Sequence, residues 1–356
     1  MLILGIETSC DETALALLEA SGPLSAPKFR PLENIVSSQI AVHTPFGGVV
    51  PSLAKREHIK NLPKIFDNLK LKTTHLKLDA IAVTVGPGLE PALWAGIEYA
   101  KQLHKELQKQ NPNLKLIGVN HLEGHLFSFL LPQKTNRSNV KGQMSNVFPA
   151  IALIVSGGHT ILLKMDSLAK WKKLGETVDD AAGEAFDKVA RMLGAPYPGG
   201  PEIQRLAEKG NPEAVAFPRP MLHHKNYNFS YSGLKTSVLY YLRDHKRSKV
   251  KSQKLKVSKA DIAASFQAAA LEPLVKKAER AVREFGAKSL ILSGGVAANK
   301  ELRNALQATS YKLQANFFAP PMDFNTDNAM MIAAAGYINL LQKKNRRLSA
   351  NGNLSI

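Results

Sequence analysis

The sequence predicts an α/β fold of two similar lobes, on three observations. Short apolar runs of strand length alternate with longer stretches of helical spacing. A strand, small polar turn and second strand near the start of the chain return near its middle. A length of 356 residues exceeds one ordinary core without reaching three, which points to about two domains.

Strands are expected at 2–6, 13–18, 80–85, 115–119, 150–155, 160–164 and 289–292. Each is a brief apolar run rich in Leu, Ile and Val and bounded by small or polar residues. Helices are expected at 91–108, 181–193, 201–209, 234–242, 259–285, 299–307 and 327–342, where apolar residues recur at helical spacing among good helix formers. The echo pairs LILGIETSCDETALALL, residues 2–18, with IALIVSGGHTILL, residues 151–163. One such hairpin opens each half, which suggests two lobes facing a cleft; two unrelated hairpins remain the plainer reading.

Hydrophobic residues at 44% and charged residues at 21% exclude disorder, collagen and coiled coil for the bulk of the chain. The unusual figure is 47 Lys+Arg against 29 Asp+Glu, a net charge of +18. It implies an anionic partner, a membrane surface or a lysine-rich proteome. Residues 243–259 hold eight basic residues against Asp244, and the tail adds Lys343, Lys344, Arg346 and Arg347. These segments read equally as a binding tool or a solvated face. The polar stretch 134–143 reads as a loop. A single cysteine, Cys10, forms no internal disulfide and no thiolate cage, so a reducing cytoplasmic setting is expected. No apolar run reaches the twenty residues of a membrane span, and the apolar start is too short for a secretion signal, so no membrane association is expected.

Three constellations carry chemistry. In Ser156-Gly157-Gly158-His159-Thr160, two glycines between hydroxyl residues let backbone N–H groups approach a phosphate. Ser293-Gly294-Gly295 follows an apolar strand in the same way, and Asn299 is placed to read a ligand edge or hold a ribose. Neither has the P-loop or dinucleotide spacing, so those folds are disfavoured, and each Gly-Gly is also a simple turn. Glu7, Asp11 and Glu12 surround the first hairpin turn, where carboxylates beside a phosphate act through a cation or water, or merely form the turn.

The third constellation is His121-Leu122-Glu123-Gly124-His125. Histidines four apart share one helical face and are close enough to bind one metal, although such a pair is also read as ordinary packed histidine. The zincin pattern is absent, because Leu122 follows the first histidine and Glu123 falls on another face. A third ligand must come from elsewhere; Asp327 is a candidate, and is equally read as a helix-start residue satisfying backbone donors. The segments 179–188, 197–201 and 228–236 read as binding loops, with Asp187 near the second turn of a helix.

IETSCDET at 6–13, GGVVPSLAKREH at 47–58, GPGLEPALWAG at 86–96, HLEGH at 121–125, VSGGHT at 155–160, DDAAGEAFDK at 179–188, YPGGP at 197–201 and SGGVAAN at 293–299 run in the order of the TsaD family. The chain resembles that family from residue 3 to about residue 336. The resemblance implies two ribonuclease-H-like lobes of the actin-like ATPase and sugar-kinase superfamily around a central cleft. On that plan, 1–120 form one lobe, 121–325 a second with a basic insertion near 243–259, and 326–356 a helix and basic tail packing back on the lobes.

The implied activity is transfer of a threonylcarbamoyl group from threonylcarbamoyl-AMP to the N6 amine of adenosine 37 in tRNAs reading ANN codons. By motif match, His121, His125 and Asp327 would hold one divalent metal, iron or zinc. Ile154, Val155, Ser156, Gly157, Gly158, Asp187, Gly200 and Asn299 would bind the donor, and Asp11 and Glu12 would be catalytic. Implied partners are tRNA, a paralogous actin-like subunit of TsaB type, an ATPase subunit of TsaE type and an upstream threonylcarbamoyl-AMP synthase. Family members commonly have an acid shortly after YPGGP; this chain has Glu202 and then Gln204. Competing readings are a small-molecule kinase of the same fold, a metalloprotease, which lacks the adjacent glutamate base, and a non-catalytic nucleic-acid-binding module.

Overall fold

The computed structural model describes residues 1–72, 77–132, 146–247 and 257–356. The loop expected at 134–143 falls outside the described residues, as do Lys249, Lys251, Lys254 and Lys256 of the basic insertion. The described chain divides into two units: Met1–Asn146 with Ser167–Lys170 and Ala319–Ile356, and Val147–Asp166 with Trp171–Phe318.

Unit 1 begins with β1 (Leu2–Glu7), β2 (Glu12–Ser21) and β3 (Lys28–Ser38), an antiparallel meander. After α1 (Ile40–His43) and α2 (Pro51–Lys72), β4 (Ala80–Gly86) pairs parallel to β1. Next, α3 (Glu90–Gln108) leads to β5 (Lys115–Asn120), parallel to β4, and directly to α4 (His121–Phe127). The sheet order is β3-β2-β1-β4-β5. Strand alternation sorts its side chains: Leu4, Ile6, Leu15, Leu17, Ile81, Val83 and Val85 join Leu62, Phe66, Leu93 and Ile97 of α2 and α3 in one core.

Unit 2 repeats the plan. β6 (Ala150–Val155), β7 (Thr160–Met165) and β8 (Trp171–Glu176) form the meander. Then come α5 (Ala182–Met192), α6 (Gly199–Ala207), α7 (Ser232–Arg247) and α8 (Lys259–Phe285). β9 (Ser289–Ser293) pairs parallel to β6, and after α9 (Lys300–Lys312) the short β10 (Asn316–Phe318) pairs parallel to β9. The order β10-β9-β6-β7-β8 is the first sheet's order written from the other edge. The echo between the two hairpins therefore extends to whole five-stranded sheets.

The chain then supplies α10 (Ala329–Leu341) to unit 1, covering the face of that sheet opposite α2 and α3. Small residues make this approach close. A Cβ on Gly5 would lie 2.1 Å from the Ala329 carbonyl oxygen, and one on Gly336 would lie 2.6 Å from the Ala82 Cβ. Buried on nearly every side, α10 is apolar apart from Tyr337 and Asn339, as a helix against a sheet interior must largely be.

Besides the one-turn α1, four elements were not expected from periodicity. β3 and β8 are sheet edges that mix charged with apolar residues, β10 is an edge of only three residues, and β3 contains Pro31, which an edge position tolerates. In α2 the buried stripe Ala54, His58, Leu62, Ile65 and Phe66 includes a histidine, and Pro63 interrupts the helix signal. His58 is satisfied inside the core by Thr13 Oγ1 at 2.8 Å and the Cys10 carbonyl at 3.0 Å. Among the described residues, no helix is long and apolar enough to cross a membrane.

Candidate functional site

In unit 1 the parallel strands β1, β4 and β5 end together, and their last residues build the site. α4 starts immediately at the end of β5. The Asn120 side chain caps it by accepting from the Leu122 N–H at 2.8 Å. His121 and His125 then stack one turn apart, with ring centroids separated by 4.6 Å at 83°. Asp327 precedes α10, whose N-terminal donors are served by the neighbouring Asn328, accepting from the Met331 N–H. Helix capping is therefore the work of Asn328, and Asp327 Oδ1 lies 3.5 Å from His121 Nε2 and 3.2 Å from His125 Nε2.

Glu7, at the end of β1, orients this group. It is fully buried, and its Oε2 accepts from Thr84 Oγ1 at 2.7 Å and lies 3.1 Å from His121 Nδ1. Ser9 Oγ sits 3.2 Å from the same ring nitrogen. A carboxylate on Nδ1 fixes the tautomer in which Nε2 presents a lone pair. Burial works against charge on His121, but the Asp327 and Glu7 carboxylates outweigh it and push its pKa up to about 9. Burial likewise opposes ionisation of Glu7, which His121 nevertheless holds below the ordinary carboxylate range. His125 moves the other way, because burial dominates and favours its neutral form.

The donor set fits a metal. Ligand atoms of His121, His125 and Asp327 lie within 4.8 Å of one another. His125 is fully buried; among the described residues its Nδ1 has no hydrogen-bond partner, and its Nε2 faces the Asp327 carboxylate at 3.2 Å. Two imidazole nitrogens and one carboxylate oxygen suit a borderline divalent cation such as zinc or iron and leave positions for a substrate.

Asp11 and Glu12 sit on the β1–β2 turn of the same unit. Asp11 is buried, with its carbonyl accepting from the Gln39 N–H at 2.9 Å. Glu12 is the first residue of β2; burial, Asp327 and Asp11 together raise its pKa well above the usual carboxylate range. The Cys10 thiol between the acids and Ser9 is raised by burial and Asp11, so it is not a thiolate nucleophile at neutral pH.

Unit 2 brings the other expected residues together. Ile154 and Val155 are buried in β6, which leaves their main chain to do any binding. The turn beyond them is closed by Ser156 N–H donating to the His159 carbonyl and His159 N–H donating to Ser156 Oγ. A Cβ on Gly157 or Gly158 would meet no atom within 4 Å, so this face of the turn is open. Gly183 of α5 packs beneath, where a Cβ would lie 2.7 Å from the Ser156 carbonyl oxygen. Gly294, at φ +91°, lies against Val155, with room for only a hydrogen. Asp187 Oδ1 accepts from the Gly199 N–H at 2.7 Å and so sets the turn before Gly200, which is open.

Asn299 does two structural tasks. It caps α9 by accepting from Leu302 N–H and donates to Gln267 Oε1 at 2.8 Å. Gln204 accepts from the Lys300 N–H at 2.9 Å, tying α6 to the same helix start. The paired acids of 179–188 are also engaged: Asp179 accepts from Ser230, Tyr231 and Ser232, while Asp180 pairs with Lys188 and Lys235. Sequence reasoning assigned no role to Thr84, Ser9 or Gln267. A carboxylate ending an apolar strand, Glu7, was the available signal for the buried partner of His121.

Comparison with known proteins bears on the fold and the family. The solved structure of HypF from T. kodakarensis superposes with a TM-score of 0.57 at 16% identity, over 95% of this chain and 47% of that one. This chain thus spans about half of HypF. Component A of (R)-2-hydroxyglutaryl-CoA dehydratase from Acidaminococcus fermentans gives 0.50 at 14% identity, over 97% and 99%. Both likenesses concern the fold alone, which is the actin-like two-lobe class. The tRNA N6-adenosine threonylcarbamoyltransferase of Thermosipho africanus is 47% identical over 339 residues, 95% of this chain and 94% of that protein. The enzyme of the same name from Ralstonia pickettii is 46% identical over 342 residues, covering 96% and 92%. Residues 30–334 match the family model described as TsaD, tRNA N6-adenosine threonylcarbamoyltransferase, and the chain belongs to that family.

Proposed function

We propose that this protein transfers the threonylcarbamoyl group of threonylcarbamoyl-AMP to the N6 amine of adenosine 37 in tRNAs reading ANN codons, releasing AMP. The observation that carries the reading is the His121, His125 and Asp327 cluster, backed by Glu7, in a chain so similar to enzymes of that name. In the proposed reaction the amine nitrogen bonds to the carbamoyl carbon, the bond from that carbon to the AMP phosphate oxygen breaks, and the amine loses a proton.

His121 Nε2, His125 Nε2 and Asp327 would hold one divalent cation, zinc or iron. When bound, such a cation supplies Lewis-acid polarisation of a carbonyl or phosphate oxygen. Glu7 keeps a proton on His121 Nδ1, so that Nε2 remains a donor atom. Asp11 and Glu12 are proposed to handle the proton leaving the amine. A carboxyl raised as Glu12 is can accept and return a proton nearer neutral pH than an ordinary one. In unit 2, main-chain N–H groups of the Ser156–Gly158 turn are proposed to take the adenylate phosphate, with Asp187, Gly200 and Asn299 fixing the loops around the nucleoside.

Proposed partners are tRNA, held through Lys and Arg, an actin-like subunit of TsaB type, an ATPase of TsaE type and a threonylcarbamoyl-AMP synthase that makes the donor, all in the cytoplasm. For the paralogous subunit, Val49–Ala54 and the helices of unit 1 are the proposed face; crosslinks confined to unit 2 would count against it. The deciding experiment is reconstitution with threonylcarbamoyl-AMP and tRNA, read by nucleoside mass spectrometry with and without chelator. Modified adenosine is expected only without chelator, and equal yield in both would remove the metal from the reading.

A further inference from the structure

Glu123 lies between the two histidines of α4, yet it is not among the metal-cluster residues. At roughly 100° per residue it points away from both imidazoles, and it is only 1% exposed. Its carboxylate is surrounded by donors. Oε2 accepts from Asn339 Nδ2 of α10 at 3.0 Å, and Oε1 accepts from Lys344 Nζ at 3.4 Å and Arg346 Nη2 at 2.5 Å. Two of the four basic residues of the tail are thus spent inside unit 1.

The segment bearing those residues is itself fastened. Asn351 N–H donates to the Val85 carbonyl at the end of β4, and Gly352 accepts from Gly88 N–H while donating to Glu90 Oε1. Its path needs glycine beneath it: a Cβ on Gly86 would lie 2.0 Å from the Asn351 carbonyl oxygen, and one on Gly118 would lie 3.2 Å from that of Arg346. Asn120, the cap of α4, uses its Nδ2 to hold the Ser355 carbonyl at 3.0 Å. Residues 343–356 therefore grip α4 at its cap and at its middle.

A helix of seven residues has little stability of its own, so its rotation is set by such contacts. Rotating α4 about its axis swings both imidazoles relative to Asp327. We propose that Arg346, acting through Glu123, is a positioning residue that fixes α4 in the rotation at which His121 and His125 converge with Asp327. This inference rests on the metal reading above. Lys344 at 3.4 Å is the longer of the two cation contacts, and a buried carboxylate stripped of its shorter one is disfavoured, so loss of Arg346 shifts Glu123 toward Lys344 and turns the helix with it.

The test is Zn²⁺ titration of the full chain, with Co²⁺ absorption as a second readout of ligand geometry. Arg346→Met is expected to weaken Zn²⁺ binding about 10- to 100-fold and to alter the Co²⁺ bands. Arg346→Lys should recover most of both, and Lys343→Met with Arg347→Met, which removes charge from exposed neighbours, should change neither. Should Arg346→Met fail to fold, Glu123→Gln with Arg346→Met removes both charges; with no buried carboxylate left to turn the helix, a smaller loss of affinity is expected from the missing clamp, and native affinity together with native α4 exchange would overturn it. Hydrogen exchange of the α4 amides without metal separates the two readings, because faster exchange in Arg346→Met is expected whether or not metal binds. Native Zn²⁺ affinity and native α4 exchange in Arg346→Met would overturn the clamp. A native chain that binds no Zn²⁺ while α4 still loosens in the variant would overturn the metal reading and leave Arg346 a stability residue only.

Discussion

The two units share one strand order and differ in what they place at the same turn. Between β1 and β2, Ser9, Asp11 and Glu12 crowd a turn flanked by Glu7 and a histidine pair. Between β6 and β7 the equivalent turn is Ser156–His159, where two glycines face open space. One turn concentrates carboxylates and imidazoles, whose value lies in mutual electrostatics; the other strips away side chains so that main chain can approach an anion. A repeated fold thus fixes where a site can be, while the residues at the turn decide its chemistry.

The largest expected effect removes the imidazole side of this contrast. His121→Ala should lower Zn²⁺ affinity on the order of 100-fold or more and take tRNA modification to background, with the thermal transition still cooperative. Modification at the native rate in that variant would end the metal role for unit 1.

A pair of glycine substitutions probes the other turn. Gly158→Val should leave stability unchanged, because its Cβ meets nothing, yet weaken AMP binding roughly 10-fold, about 1.4 kcal/mol. Gly183→Ala should instead destabilise unit 2 by about 1–3 kcal/mol, because its Cβ falls on the Ser156 carbonyl. Calorimetry and AMP titration on both variants check this, and an unaltered AMP affinity in Gly158→Val would mean that the open turn does not take the phosphate.

A smaller effect separates site acids from structural acids. Burial opposes ionisation of Asp179, but hydrogen bonds from Ser230, Ser232 and Tyr231 hold its pKa below the ordinary value. Its contribution is therefore fully present above the unfolded aspartate range and is lost as pH falls through the lowered folded value. Because Asp179 is exposed, Asp179→Ala should cost only about 1 kcal/mol at pH 7 and flatten the acid limb of stability against pH. An unchanged acid limb in denaturant titrations would contradict that assignment.

The smallest effect concerns charge outside both turns. Replacing Lys249, Lys251, Lys254 and Lys256 with Gln should reduce the salt slope of tRNA binding by up to about 1 per lost phosphate contact and leave AMP binding intact. The native slope in that variant would make the run a solvated face.

Much of this architecture could be read in advance where local pattern and global role coincide. β1, β4, β6 and β9 are buried and mostly apolar, with their few polar residues such as Glu7 and Ser293 near the strand ends, so composition marks them. β3 and β8 could not be marked because they mix charged and apolar residues without clear alternation, and β10 because it is three residues long, whereas β5, also an edge, carries Leu116, Ile117 and Val119. The stripe of α2 was concealed by His58, a polar residue that pays for its burial with Thr13 and the Cys10 carbonyl. At the site, the spacing of His121 and His125 gave the pair, since one helical turn is a local property. Glu7 carried a signal but no partner, because nothing in a linear sequence ties the end of β1 to the end of β5.

By itself, then, the sequence determined the α/β class, the hairpin echo, the histidine pair, the glycine turns and a resemblance strong enough to name a family. Only the tertiary structure decided that Asp327, some two hundred residues on, comes within 3.2 Å of His125, and that Asn328 does the helix capping. It also decided that Lys344 and Arg346, counted in the sequence as part of a free basic excess, are committed to buried Glu123. The physical reason is the range of the interactions. Periodicity, turn chemistry and caps act within a few residues, whereas ligand convergence and the pairing of a buried charge depend on which strand ends and helices the folded sheet brings together.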